Sequence, residues 1–160
     1  MLDYHYWARD RMFEALEPLT AEQVNRDMGN SFKSIRDTVT HLYAAEWAWY
    51  SRWQGTSPDQ LLPTETFPDL AAVRLAWADH EAKMRAYLDE LGDANVAKVI
   101  EFKLLSGQPG AAPFWQMLQH LVNHASYHRG QVTTMLRQLG AQPAKSLDMI
   151  AFYRSQGVRG

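Results

Sequence analysis

Residues 113–140, PFWQMLQHLVNHASYHRGQVTTMLRQLG, contain the helical pattern that decides the fold class of this chain. Pro113 suits the first turn of a helix, and Gly140 is typical of the position just past a helix end. Between them, apolar side chains recur every three or four residues on one face. That face comprises Phe114, Met117, Leu121, Val132, Met135, Leu136 and Leu139. We therefore expect an amphipathic helix from about Pro113 to Leu139.

Residues that break helices divide the rest of the chain into three more long helical segments. The first spans about Leu2–Leu16, the second opens at Ser31 or Ser34 and continues through Trp53, and the third spans about Asp69–Leu91. Four helices of this length predict an all-α fold, a four-helix bundle.

Two smaller elements are expected around the last long helix. Val96–Phe102, followed by the turn signal at residues 106–110, predicts a short hairpin or extended connection before it. A short C-terminal helix is expected at Ser146–Tyr153. No repeat or linker divides the 160 residues, so we expect one domain over residues 1–160.

Composition excludes several kinds of function. The chain has no cysteine, so any metal must be held by His, Asp, Glu or backbone oxygen, and a cysteine nucleophile is excluded. A net charge of −2 without a basic stripe argues against nucleic-acid binding. No apolar run approaches the roughly 18 residues of a membrane span, and no signal peptide is recognisable. A cytoplasmic location is the expectation by elimination.

Three histidines lie four residues apart on the predicted fourth helix: His120, His124 and His128. Imidazoles one turn apart share a face and can share one metal ion, whereas the outer two lie about 12 Å apart along the axis. A helical projection puts His128 inside the apolar face, His124 at its border and His120 outside it. The pattern favours His124 and His128 as metal ligands, with His120 as a surface or supporting residue. Hydrogen-bonded histidines without a metal are the alternative.

A helical pair supplies two ligands, and a third must come from another part of the chain. His41, His80 and His5 are candidates, with Glu46 and Glu14 as substitutes. Periodicity does not single out His41, because it projects roughly 120° from the centre of the apolar stripe on its own helix.

Glu46 is an unusual residue, since it falls near the middle of the apolar stripe of the second predicted long helix. A buried carboxylate needs a partner. It could orient a ligand histidine, act as a base, or pair with an arginine such as Arg52.

Several stretches resemble the DinB-like proteins of the DinB/YfiT superfamily. These are SFKSIRDTVTHL at residues 31–42, HLVNHASYHRGQ at 120–131, LRQLG at 136–140 and YWA at 6–8. The resemblance covers nearly the whole chain, and its most specific part is the His-Arg-Gly-Gln motif at residues 128–131.

The resemblance implies a four-helix bundle of up-down-down-up order, usually a homodimer, with a three-histidine site for a divalent metal ion. Carried onto this sequence, the ligands are His41, His124 and His128. Zinc or nickel is expected first, with manganese or iron as alternatives.

Characterised members of the superfamily include thiol S-transferases and isomerases that use low-molecular-weight thiols. The resemblance therefore implies a metal-dependent thiol S-transferase or hydrolase acting on a small molecule. Glu46, Tyr127, Arg129 and Gln131 are candidate catalytic or substrate-contacting residues. The alternative is a non-catalytic, metal-binding or structural dimeric bundle of the stress-response type.

Overall fold

Four long helices and a two-stranded sheet dominate the computed structural model, which describes residues 1–157. In chain order the elements are α1 (Leu2–Leu16), α2 (Ala21–Asn25), α3 (Ile35–Trp53), α4 (Leu70–Leu91), β1 (Val99–Lys103), β2 (Pro109–Pro113), α5 (Phe114–Gln138) and α6 (Met149–Ser155). Single turns of 3-10 helix lie at Thr64–Thr66 and Asp93–Asn95. The chain is thus mostly helical, as predicted, with a small sheet at the expected hairpin.

Local capping explains where α3 begins. The Ser34 hydroxyl accepts a hydrogen bond from the Asp37 backbone N–H (3.1 Å), and the Asp37 carboxylate accepts one from the Ser34 backbone N–H (3.2 Å). This reciprocal pair satisfies two N–H groups that a helix start leaves without partners. Of the two predicted starting points, Ser34 is therefore correct and Ser31 is wrong.

The short helix α2 was not predicted from the sequence. It begins with the same reciprocal cap, here between Thr20 and Gln23. At five residues it is too short to show a helical repeat of apolar side chains, so its cap was the available signal.

The hairpin before α5 is an antiparallel pair in which Val99 lies opposite Pro113 and Lys103 opposite Pro109. Gly110 lies directly under the ring of Phe102, where an added Cβ would come within 2.7 Å of that ring. Glycine at this position lets Phe102 lie flat against the strand, which is the close approach that glycine typically permits in strands. The strand starts three residues after the predicted Val96.

The core surrounds α3, which packs against α2, α4, α5 and β1. Completely buried apolar side chains come from α3, α4 and α5, including Ile35, Val39, Val73, Trp77, Met84, Phe114 and Met135. Within residues 1–157, no helix has both the length and the apolar character of a membrane span.

A buried carboxylate joins three of the helices inside this core. Glu46 of α3 is inaccessible to solvent, and it accepts hydrogen bonds from His5 Nε2 (2.7 Å) and Tyr6 OH (2.8 Å) of α1. Trp77 Nε1–H of α4 donates a third, at 2.7 Å. Burial by itself raises the pKa of Glu46, but the neighbouring His5, His80 and Tyr6 lower it overall, so the carboxylate stays ionised.

Of the three roles that the sequence left open for Glu46, the pairing with Arg52 is wrong. The Arg52 guanidinium donates to the backbone carbonyl of Lys103 at 3.1 Å and lies over the ring of Trp49. The two side chains point from α3 to different neighbours, because residues six apart are turned by roughly 240° on a helix.

Removal of the Glu46 carboxylate tests its structural role. We expect Glu46→Ala to lower the free energy of unfolding by about 3–5 kcal/mol, because three buried donors lose their acceptor. Urea unfolding followed by circular dichroism measures the change. Glu90→Ala, at an exposed position of α4, is the matched control and should change stability by less than about 0.5 kcal/mol. Equal effects of the two substitutions would contradict the role of Glu46.

Candidate metal centre

Three imidazoles from two helices meet between α3 and α5. His124 and His128 lie one turn apart on α5, and His41 reaches them from α3. Nε2 of His124 is 3.2 Å from Nε2 of His41 and 3.1 Å from Nε2 of His128. Each residue offers one ring nitrogen within 4.8 Å of the others, so the three form a group that could hold one metal ion.

The spacing of these nitrogens suits a shared cation. Bond lengths of about 2.0–2.1 Å and bond angles between about 90° and 109° place neighbouring ligand nitrogens about 2.8–3.4 Å apart. Hydrogen bonds alone explain the arrangement less well, because a neutral imidazole nitrogen carries either one proton or one lone pair. Nε2 of His124 faces two nitrogens at once and can satisfy only one of them by a hydrogen bond.

The surroundings of His41 and His124 favour the neutral form of the imidazole ring, which is the form that binds a metal. Burial, together with the nearby charge of His128, lowers the pKa of His41 to about 4. Burial also lowers the pKa of His124 to about 3, with further contributions from His128, His41 and His120. At neutral pH both rings therefore present lone pairs rather than positive charge.

Gln131 fixes the orientation of the third imidazole. Nδ1–H of His128 donates to Gln131 Oε1 at 2.6 Å, and His128 is buried. A partner for Nδ1 sets the tautomer and leaves the Nε2 lone pair facing the centre. Gln131 thus supports the site from one turn further along α5.

Phe32 covers one side of the site and was not singled out from the sequence. Its ring stacks on His41, with ring centroids 4.2 Å apart, and meets His128 edge-on at 5.4 Å. Phe32 precedes the cap of α3 in a non-helical segment. Helical periodicity therefore says nothing about where its side chain points.

Two exposed rings flank the site on α5. Tyr127 is 65% exposed, and its ring meets His128 edge-on at 5.1 Å. His120 is exposed and lies between Trp49 (5.3 Å) and His124 (5.9 Å), measured between ring centroids. His120 is therefore a neighbour of the centre on the surface, outside the group of three converging nitrogens.

The other two catalytic candidates contact different parts of the fold. Glu46 is bound to α1 and α4, and Arg129 donates to Ser126 Oγ at 2.9 Å beneath the ring of Tyr4. The alternative third ligands are also elsewhere: His5 bonds to Glu46, and His80 packs against tyrosine rings.

Comparison with known proteins agrees with this architecture. Residues 1–157 match the sequence model of the DinB family. The chain belongs to the DinB family. The resemblance seen in the sequence motifs is thereby confirmed.

Two relatives illustrate how far DinB similarity extends. Protein DinB of Bacillus subtilis (strain 168) is 26% identical over 147 residues, which is 88% of this chain and 84% of the relative. The crystal structure of a DinB-like protein from Bacillus cereus ATCC 10987 superposes with a TM-score of 0.61 at 21% identity. That comparison covers 91% of this chain and 94% of the other, and it supports a shared fold.

The depressed pKa values of this DinB centre predict a pH dependence for protein freed of metal. The folded-state pKa values of His41 and His124, about 4 and about 3, lie below the value of roughly 6.5 expected in the unfolded chain. At pH values between the folded-state and unfolded-state pKa, the unfolded chain binds more protons than the folded chain. The free energy of unfolding should therefore fall as pH falls from about 6.5 towards 3.

NMR titration of the imidazole resonances in chelator-treated protein measures this directly. Titration of His41 and His124 near pH 6.5 would contradict the depressed pKa values of these half-buried imidazoles. The double variant His41→Gln/His124→Gln should show a weaker loss of stability in acid than the unaltered chain.

Proposed function

We propose that this DinB-family chain is a divalent-metal-binding protein whose three-histidine centre promotes a reaction of a small molecule. The observation that carries the proposal is the convergence of three Nε2 atoms, with contacts of 3.1 and 3.2 Å. His41, His124 and His128 are the proposed ligands. The four long helices are proposed to form the up-down-down-up bundle that the resemblance implies.

The donor set determines what kind of centre this is. Three neutral imidazoles leave the full charge of a divalent ion uncompensated and leave coordination positions open, as in catalytic rather than structural sites. A bound ion supplies a positive centre that lowers the pKa of a thiol or water beside it. All-imidazole coordination suits zinc or nickel first, with manganese or iron as alternatives.

The chain's own residues define the space around the centre. Phe32 shields one side of His41 and His128 from water, whereas Tyr127 lies exposed beside His128. We propose that the substrate approaches on the side of Tyr127. Because the chain has no cysteine, a nucleophilic thiol has to arrive as a second substrate.

The proposed reaction is transfer of a low-molecular-weight thiol to a small electrophile, or hydrolysis of that electrophile. In the transfer, the thiol loses its proton, its sulfur forms a bond to the electrophilic carbon, and a leaving group departs with the electron pair. A homodimeric, non-catalytic metal-binding bundle is the alternative. It predicts the same metal content without any turnover.

Metal content measured on variants tests the ligand assignment. We expect His124→Ala to weaken zinc or nickel binding by at least about 100-fold, because one of three ligands is lost. His120→Ala on the same helix face is the matched control and should retain the metal. Isothermal titration calorimetry gives both affinities, and equal affinities for the two variants would contradict the assignment.

Turnover separates the catalytic proposal from its alternative. Purified protein is incubated with a low-molecular-weight thiol and a small alkylating electrophile, and loss of free thiol is followed over time. We expect a rate above the uncatalysed background that disappears with a chelator and returns when zinc or nickel is added. Full metal occupancy, with loss of both the thiol and the electrophile at the background rate, would favour the non-catalytic dimer.

A further inference from the structure

Arg129 stands apart from the other buried arginines of the described chain. Arg9, Arg52 and Arg129 are each no more than 5% exposed. Arg9 pairs with the carboxylates of Asp10 and Glu81 at 2.8 and 2.7 Å. Arg52 donates to a backbone carbonyl and lies over aromatic rings. Arg129 has neither a carboxylate nor a carbonyl partner of this kind.

The hydrogen bonds of Arg129 leave part of its guanidinium group without an acceptor. Its Nη2 donates to Ser126 Oγ at 2.9 Å, while Nε and Nη1 are buried without a hydrogen-bond partner. Among the salt bridges within residues 1–157, none reaches Arg129 at 4 Å or less. A guanidinium keeps its proton in proteins. The Tyr4 ring and the Glu46 carboxylate offset part of the charge of Arg129, but neither accepts a hydrogen bond from Nε or Nη1. Nε and Nη1 of Arg129 are therefore donors that an anionic ligand could satisfy.

A cleft with room for such an anion lies beside Arg129. It has a volume of about 650 Å³, and it is bounded by α5, Tyr4 and the segment from Pro143 to Met149. That volume is in the range of small-molecule sites. On the α5 side the wall includes Gly130, where an added Cβ would meet no atom within 4 Å. Open space therefore adjoins the helix next to Arg129.

The charges that line the cleft favour an anion. Arg137, two turns beyond Arg129 on α5, also lines it and is exposed. Asp148 is the carboxylate among the lining residues, and its Oδ2 accepts a hydrogen bond from Ser146 Oγ at 2.8 Å. Two guanidinium groups and one carboxylate leave a net positive charge. Ser126 and Thr133 contribute hydroxyl groups to the same wall.

We propose that this cleft binds a small molecule through an oxyanion group, phosphate or carboxylate, held between Arg129 and Arg137. Guanidinium groups bind both of these anions in the same two-pronged geometry. The unpartnered nitrogens of Arg129 are sealed from solvent, and the outer wall includes coil at residues 143–148. The proposal therefore includes a local rearrangement that brings these nitrogens into contact with the anion. None of the three converging histidines lines the cleft, so this site is separate from the metal centre.

The test is an NMR titration of the full chain at constant ionic strength, with inorganic phosphate in one series and acetate in another. Metal is removed beforehand, so that neither anion is held at the histidines. We expect saturable shifts of the backbone resonances of Ser126, Gly130 and Thr133. The anion that binds more tightly identifies the group that the cleft prefers.

Two variants should change the affinity in opposite directions. Arg137→Gln removes a positive charge and should weaken binding by about 2- to 5-fold, as expected for one partly exposed ion pair. Asp148→Asn removes the opposing charge and should tighten binding by a similar factor. Lys98→Gln removes an exposed positive charge outside the cleft and is the matched control, with no expected effect.

We expect Arg129→Met to abolish saturable binding. If the Arg129→Met protein does not fold, the affinities of the Arg137→Gln and Asp148→Asn variants test the proposal instead. The proposal is overturned if neither anion gives saturable shifts at millimolar concentration. It is also overturned if Lys98→Gln weakens binding as much as Arg137→Gln. Equal effects would mean that the net charge of the protein, and not the cleft, attracts the anion.

Discussion

The packing of α3 against α5 is the constraint on which the candidate centre depends. Helix geometry alone places His124 and His128 on one face of α5, but His41 reaches them only if α3 has the right rotation about its own axis. A change of one residue in that rotation, roughly 100°, would carry His41 away from the others. Glu46 opposes such a change, because its carboxylate is bound to α1 and α4 on another side of α3.

Buried polar groups divide the interior into regions of different charge. His41 and His124 are neutral bases at neutral pH, whereas Glu46 is an anion held by donors from two helices. Arg129, next in sequence to His128, carries positive charge on yet another side of α5. Adjacent residues on a helix point about 100° apart, which is how His128 and Arg129 come to serve different sites.

Local patterns in the sequence were enough to predict the long helices, the hairpin and the pair formed by His124 and His128. His41 was different, because the apolar stripe of α3 faces other neighbours and the contact with α5 is tertiary. The family resemblance, rather than periodicity, identified it. The partners of Glu46 were missed for a related reason: His5 and Trp77 are 41 and 31 residues away along the chain. No local rule predicts contacts at that separation.

We propose that one divalent ion is bound by His41, His124 and His128 together. Anomalous X-ray diffraction from crystals of zinc- or nickel-loaded protein can locate that ion. We expect a single strong anomalous peak within about 2.0–2.2 Å of the Nε2 atoms of all three residues. A peak bound to other side chains, or contacting only one of the three rings, would contradict it.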